Sequence, residues 1–261
     1  MIPISDIQVR PIRLERNRAA FTMIEIAISL AVIAFAVVAI IGVLPAGLNV
    51  QRENREDTLI NQDGPYFLEA IRSGAKGFDA LTNYVDSVVV VTTNLSGLNT
   101  NNVLLPPFTG SNIVGLLSIP RGALFNNEPV HKVQAYVHAL SGSAGEQGQG
   151  GRDLAFNYLL TVEVVPFASF AANTTNYLAF PTNSVEYTNS FVRYLQSTQL
   201  TNNLFDVRLT FRWPVLPNGE LGNGRQVYRA QLSGQQIQAR TPSGKVLPIY
   251  YFAPQSYARS Q

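Results

Sequence analysis

The sequence predicts an α+β protein in which a long N-terminal membrane-spanning helix packs on a C-terminal antiparallel β-sheet head. Residues 26–48 form an apolar run without a charged side chain, and a helix-favouring segment follows it as far as Gly74. Downstream segments rich in β-branched residues alternate between apolar and polar positions, which is typical of half-buried antiparallel strands. The chain has 261 residues, 46% of them hydrophobic, and is therefore long enough to bury a core.

The apolar run predicts a membrane span. About 20 apolar residues cross a bilayer core, and this run is apolar on every side of a helix, unlike an amphipathic surface helix. A secretory signal peptide has a shorter apolar core with its small-residue cleavage site after it. Here the small pair Ala19-Ala20 precedes the run, so cleavage there would leave the apolar segment as the first element of the mature chain.

Charge is concentrated before the apolar run. Residues 1–20 carry more basic than acidic side chains, and in the rest of the chain the two kinds are equal in number. This asymmetry predicts a cytoplasmic N-terminus and a head on the other side of the membrane. It does not indicate nucleic-acid binding, because no basic stripe remains beyond the N-terminus. The lack of cysteine excludes disulfides and thiolate sites. The basic residues before the run are Arg10, Arg13, Arg16 and Arg18.

The stretch "AFTMIE" at residues 20–25 resembles the prepilin peptidase site of type IV pilins and type II secretion pseudopilins. The family pattern is a basic leader ending in glycine, then Phe-Thr-Leu-Ile-Glu, then an apolar helix. Ala20 stands where the family has glycine, and a methionine replaces the leucine. The matching positions are Phe21, Thr22, Ile24 and Glu25.

The resemblance implies removal of a leader, residues 1–20, between Ala20 and Phe21, followed by N-methylation of Phe21. It implies a structural subunit. The lack of catalytic and metal-binding motifs in the head predicts that the chain is not an enzyme and has no cofactor and no metal. The expected partners are the prepilin peptidase, other pilin or pseudopilin subunits and an inner-membrane assembly platform. The expected location is the bacterial inner membrane with a periplasmic head, and then a filament. The head loosely resembles I- and J-type minor pseudopilins and related minor pilins. A pilus, a secretion pseudopilus and a DNA-uptake fibre all remain open.

Glu25 is the one charge within the apolar stretch from residue 19 to residue 48. A carboxylate inside a bilayer is costly unless it is paired or neutral, so such residues are functional candidates. The resemblance implies that Glu25 pairs with the Phe21 amine during assembly, with Thr22 and Ile24 in the same motif. The alternatives are a Glu25 that reaches the membrane interface and, for the whole chain, an anchored binding protein that does not polymerise.

The N-terminal helix is predicted over residues 21–73. We expect a kink near residues 42–47, caused by Gly42, Pro45 and Gly47, and a break at residues 63–65, where the sequence reads Asp-Gly-Pro. The outer half of the helix is expected to bury its apolar side chains against a sheet. These side chains are Leu59, Ile60, Phe67, Leu68 and Ile71.

The head, residues 74–261, is predicted to be rich in strands. The alternation of residues 205–213 is strict, and turn residues at 216–224 lead into a hairpin partner. Long Asn-, Thr- and Pro-rich loops are expected at 94–112 and 168–190. Pro248 indicates an edge position for the last strand. The predicted strands are 85–93, 130–140, 156–167, 205–213, 225–233 and 245–252.

No motif in the head predicts an active site. The Gly-rich segment at 142–153 has no lysine of a phosphate-binding loop and reads as a connector. His131 and His138 are the only histidines, and seven residues apart on a strand they would point to opposite faces, which disfavours a shared metal. A calcium site in the loops is left open, although no acidic cluster indicates one.

Overall fold

The computed structural model describes residues 21–74, 78–94, 96–97, 99–104, 109–122, 129–140, 156–167 and 176–257. The chain divides into two units, one ending at Glu53 and the other beginning at Asn54. The first unit consists, in its described residues, of the N-terminal part of one long helix. The second contains the remainder of that helix, the sheets and the hydrophobic core.

The helix α1 runs without interruption over Met23–Ser73. The predicted break at residues 63–65 is therefore wrong. Proline in a helix interior costs about 3 kcal/mol and glycine about 1 kcal/mol, but burial of the same turn against the sheet offsets this cost. The predicted stop is confirmed, because the helix ends just before Gly74, which takes a positive φ of 69°. Residues 42–47 are helical throughout, and the kink there stays a prediction.

The order of elements after α1 is mostly β. Each α-helix of the head begins at a hydroxyl cap: the Thr109 side chain accepts from the Asn112 amide, and the Ser184 side chain from the Tyr187 amide. The elements are a 3₁₀ turn (Asp79–Asn83), β1 (Val85–Thr93), β2 (Asn99–Leu104), α2 (Gly110–Leu117), β3 (Val130–His138), β4 (Asn157–Pro166), a 3₁₀ turn (Asn176–Ala179), α3 (Val185–Asn203), β5 (Leu204–Val215), β6 (Leu221–Ser233), β7 (Gln235–Arg240) and β8 (Val246–Ala253).

Within the described residues, the strands form a six-stranded sheet in the order β2-β1-β3-β4-β5-β6 and a separate hairpin of β7 and β8. Each neighbouring pair is antiparallel. The predicted hairpin of β5 and β6 is confirmed. The segment at 245–252 is a strand, but it pairs with β7 and not with the edge of the main sheet.

The two long loops predicted from composition are wrong in part. Strand β2 and the start of α2 lie within 94–112, and α3 begins within 168–190. Short polar residues such as Thr109 and Ser184 also cap helices, and a polar segment can pair with a neighbouring strand, so composition alone does not predict a loop.

The core confirms the predicted faces of β5 and of the outer part of α1. The β5 residues Phe205, Val207, Leu209, Phe211 and Trp213 alternate with more exposed neighbours and are all buried. On α1, Leu59, Ile60, Phe67 and Ile71 are buried, and Leu68 packs partly buried against them. The Phe67 and Phe211 rings lie 6.4 Å apart between centroids. A helix segment on an antiparallel sheet is the α+β arrangement that the sequence predicted.

Candidate functional site

Glu25 forms a reciprocal cap at the first turn of α1. Its Oε2 atom accepts from the Thr22 amide and the Thr22 hydroxyl, both at 3.0 Å, while the Glu25 amide donates to Thr22 Oγ1 at 3.3 Å. This is a capping box, in which Thr at the cap and Glu three residues later satisfy donors that the helix start leaves free. The carboxylate is thereby held toward the N-terminal end of the helix.

The first unit exposes its apolar side chains. All residues from 21 to 55 are exposed, including Phe21 at 79% and Ile24 at 65%. Among the described residues, α1 is the one helix long and apolar enough to cross a membrane. An exposed apolar surface of this length is typical of a segment that a bilayer or another apolar surface covers.

The predicted kink residues lie inside this exposed stretch. Gly42, Pro45 and Gly47 belong to the uninterrupted helix, and a Cβ atom added at either glycine would meet nothing within 4 Å. Within the described residues, no neighbouring atom therefore requires glycine at these two positions. Ala20, the other side of the predicted cleavage bond, and the Gly-rich segment at 142–153 lie outside the described residues.

A second polar site joins α1 to the sheet within the head. The Asp63 side chain is fully buried, and its Oδ2 atom accepts from the Tyr158 hydroxyl at 2.9 Å and from the Leu140 amide at 3.0 Å. Buried carboxylates need such donors, because an unsatisfied charge in a core is expensive. Asp63 therefore ties the helix to β4 and to the segment after β3.

One turn away, Tyr228 of β6 lies against α1. Its hydroxyl donates to Asn61 Oδ1 at 2.7 Å and lies 3.2 Å from the Ile60 carbonyl oxygen, and Gln226 Nε2 donates to the same Asn61 oxygen at 2.8 Å. The ring occupies the space that a side chain at Gly64 would need. At the Asp-Gly-Pro segment the helix backbone is thus in close contact with β6.

The histidines lie on β3 with separate partners. His131 Nδ1 is 3.1 Å from the Thr92 hydroxyl, whereas His138 Nε2 is 2.7 Å from Asp86 and its Nδ1 atom bonds to Asn157. In the part of the chain that the structure describes, no group of three or more His, Asp or Glu side chains is placed to hold a metal ion.

Two of these arrangements differ in how far they can be read from sequence. The Thr-x-x-Glu pattern at Thr22 is a known capping signature, so the cap could have been predicted from local spacing. The bond between Asp63 and Tyr158 joins residues 95 positions apart, so no local sequence pattern predicts it. Comparisons of the chain with protein-family models, with characterised proteins and with solved structures find no match.

Proposed function

We propose that this chain is a minor pilin-like or pseudopilin-like subunit that assembles through α1 into a filament of the type IV pilus or type II secretion kind. Processing by a prepilin peptidase would remove residues 1–20 and leave a methylated Phe21. The observation that carries the proposal is the placement of Glu25, a carboxylate held at the first turn of a helix whose following residues are apolar and exposed.

The exposed surface of α1 supports an exchange between two apolar environments. In the inner membrane, lipid tails would cover its side chains, with the head in the periplasm. In a filament, helices of neighbouring subunits would cover the same side chains. Lipid is about as apolar as those side chains, so the exchange has little hydrophobic driving force. A single charge pair can then decide the balance.

Glu25 is the candidate for that pair. Cleavage would create a positive amine on Phe21, directly before Thr22, whose amide already donates to Glu25. Opposite charges attract strongly in a low-dielectric helix bundle, and each offsets the desolvation cost of the other. The amine can belong to the same chain or to a neighbour, and a neighbour's amine would set the register of the filament.

The first test is mass spectrometry of the full-length protein expressed beside a prepilin peptidase. The expected result is loss of residues 1–20 with a methyl group on Phe21. An Ala20→Gly variant, which restores the family residue, should be processed at least as well. An intact N-terminus in both proteins contradicts the proposal.

The second test separates the charge of Glu25 from its capping. Glutamine also completes a capping box, so Glu25→Gln keeps the cap and removes the charge, whereas Glu25→Ala removes both. If pairing with an amine drives assembly, both variants should be cleaved and both should be lost from filaments. Ser29→Ala, on the same face of the same helix, serves as the uncharged control. A Glu25→Gln variant that enters filaments normally would refute the charge role.

The second candidate function is an anchored binding protein that does not polymerise. The capping box favours it, since Thr22 already satisfies the Glu25 carboxylate within the chain. It predicts that Glu25→Gln behaves as the unmodified protein and that crosslinking in membranes yields monomers. The pilin proposal predicts a series of crosslinked oligomers, and it predicts fewer and smaller oligomers for the Glu25→Gln variant.

A further inference from the structure

The register of β5 and β6 places arginines opposite each other twice. Arg208 pairs with Arg229, and Arg212 pairs with Arg225, four residues further along β5. All four side chains are exposed and alternate with the core residues of β5, so they lie on the sheet face that α1 does not cover. Like charges directly opposite on antiparallel strands repel, with Cβ atoms about 5 Å apart.

The first arginine pair is neutralised within the chain. Arg229 binds Asp206 in bidentate fashion, with contacts from 2.7 to 2.9 Å. Arg208 lies 3.8 Å from Glu163, its neighbour on β4. Each guanidinium group of this pair thus has a carboxylate that balances its charge.

The second pair has no such complement among the described residues. Neither Arg212 nor Arg225 forms an ion pair there, and the cross-strand neighbour of Arg212 on β4 is the apolar Leu159. Two planar guanidinium groups side by side form a fork of donors that suits two carboxylates. This face therefore carries one arginine pair with carboxylate partners and one pair, Arg212 and Arg225, without them among the described residues. We call the second the open pair.

Helix α1 offers a matching pair of carboxylates. Glu53 and Asp57 are four residues apart, which places their Cβ atoms about 5–6 Å apart on one helix face. Both are exposed, and neither forms an ion pair within the described residues. Asp57 acts electrostatically on Tyr228, which is an odd number of residues from Arg225 on β6 and so lies on the other face of the sheet. The chain's own Asp57 is therefore on the wrong side of the sheet for the open pair.

We propose that Arg212 and Arg225 of one copy bind Glu53 and Asp57 of a second copy, joining the sheet face of one head to the α1 helix of its neighbour. The inference rests on the proposed function in one respect, namely that copies of the chain assemble. Beyond that, the inference names the surface through which one head would contact the next copy and set its register. Exposed ion pairs contribute little individually, so reversal of both charges should weaken the contact on the order of tenfold.

The test uses disulfide crosslinking of full-length chains in membranes. Because the chain has no cysteine, only the introduced cysteines can form a disulfide. One tagged copy carries Val227→Cys, on the exposed face of β6, and the other carries Asn54→Cys, beside the acidic pair. We expect a crosslinked heterodimer. A copy with Thr188→Cys on α3 in place of Val227→Cys is the control and should give little product.

Charge exchange then identifies the contact. Arg212→Glu with Arg225→Glu in the first copy should lower the crosslink about tenfold. Glu53→Arg with Asp57→Arg in the second copy should restore it. The milder pair Arg212→Gln and Arg225→Gln should also lower the crosslink, and it relieves repulsion between the strands, so loss of folding cannot explain the result.

Each other outcome overturns the inference. Copies that assemble without this crosslink, or with one that charge reversal leaves unchanged, refute the contact and leave the proposed function standing. Copies that never associate refute both. Arginine-dependent binding to phosphatidylglycerol vesicles without a crosslink would instead assign the open pair to a lipid headgroup.

Discussion

The Asp63 carboxylate accepts a hydrogen bond from the Tyr158 hydroxyl at 2.9 Å, and both side chains are fully buried. The bond connects α1 to β4 across the core of the head. It lies in the same turn as the Gly-Pro pair that would otherwise weaken the helix. The stability of the head and the continuity of α1 therefore depend on the same contact, and several variants can test this.

Tyr158→Phe should destabilise the head by about 1–3 kcal/mol, because the buried Asp63 carboxylate would lose the hydrogen bond from the Tyr158 hydroxyl. The measurement is urea unfolding of the full-length protein in mild detergent. Trp213, the one tryptophan of the sequence, is buried in the head core and reports the transition by fluorescence.

Tyr136→Phe is the matched control for that substitution, since Tyr136 lies half-buried on β3 and its hydroxyl forms no hydrogen bond within the described residues. Its unfolding midpoint should stay within experimental error of the unmodified protein. Equal midpoints for Tyr158→Phe and Tyr136→Phe would show that the Asp63 contact contributes nothing measurable.

Alkaline pH should destabilise the head partly through Tyr158. Burial, followed by the Asp63 charge and hydrogen bond, raises the pKa of Tyr158 well above its ordinary value near 10. Above about pH 10 the unfolded chain releases this phenolic proton and the folded chain keeps it, so the free energy of unfolding falls as pH rises.

This stability is fully present below pH 10 and is lost toward the folded-state pKa. Tyr158→Phe should therefore lose less stability than the unmodified protein between pH 8 and pH 11, as measured by the urea midpoint at each pH. Burial also raises the pKa of Tyr66, Tyr228 and Tyr251, so part of the loss should remain in the variant. An unchanged slope would contradict the assignment to Tyr158.

Gly64→Ala should destabilise the head by about 1–3 kcal/mol, because its Cβ atom would overlap the Tyr228 ring and push β6 away from α1. Gly42→Ala is the same substitution in the same helix, at a position where a Cβ atom meets nothing within 4 Å. It should leave the Trp213 transition unchanged. If both variants unfold at the same urea concentration, the close approach at Gly64 is not a constraint.

Thr22→Val should loosen the first turn of α1, because it removes the hydroxyl that accepts from the Glu25 amide and donates to its carboxylate. Loss of an N-cap costs about 1 kcal/mol, which corresponds to roughly fivefold faster exchange of the Glu25 amide in detergent micelles by NMR. Thr22→Ser keeps the hydroxyl and should retain slow exchange. Similar rates for the Val and Ser variants would show that the cap is not formed in solution.

The parts of the fold that sequence predicted are those with a local signal. The alternation in β5 sets which side chains are buried, and Gly74 permits the left-handed conformation that ends α1. The structure differs where local and tertiary preferences conflict. The Asp-Gly-Pro segment favours a break, yet contacts with Tyr158 and Tyr228 hold it helical. Helix α3 was not predicted, because none of its residues is buried and its sequence therefore lacks the apolar stripe that indicates a helix packed on a core.

The sequence by itself determined the long apolar helix, the position of Glu25 at its start and the alternating faces of the strands. These follow from spacing along the chain, which sets helix and strand periodicity whatever the rest of the molecule does. Only the tertiary structure decided that Asp63 meets Tyr158 and that Arg212 stands opposite Arg225. Such partners depend on strand register and helix docking, which the core selects by packing many side chains at once.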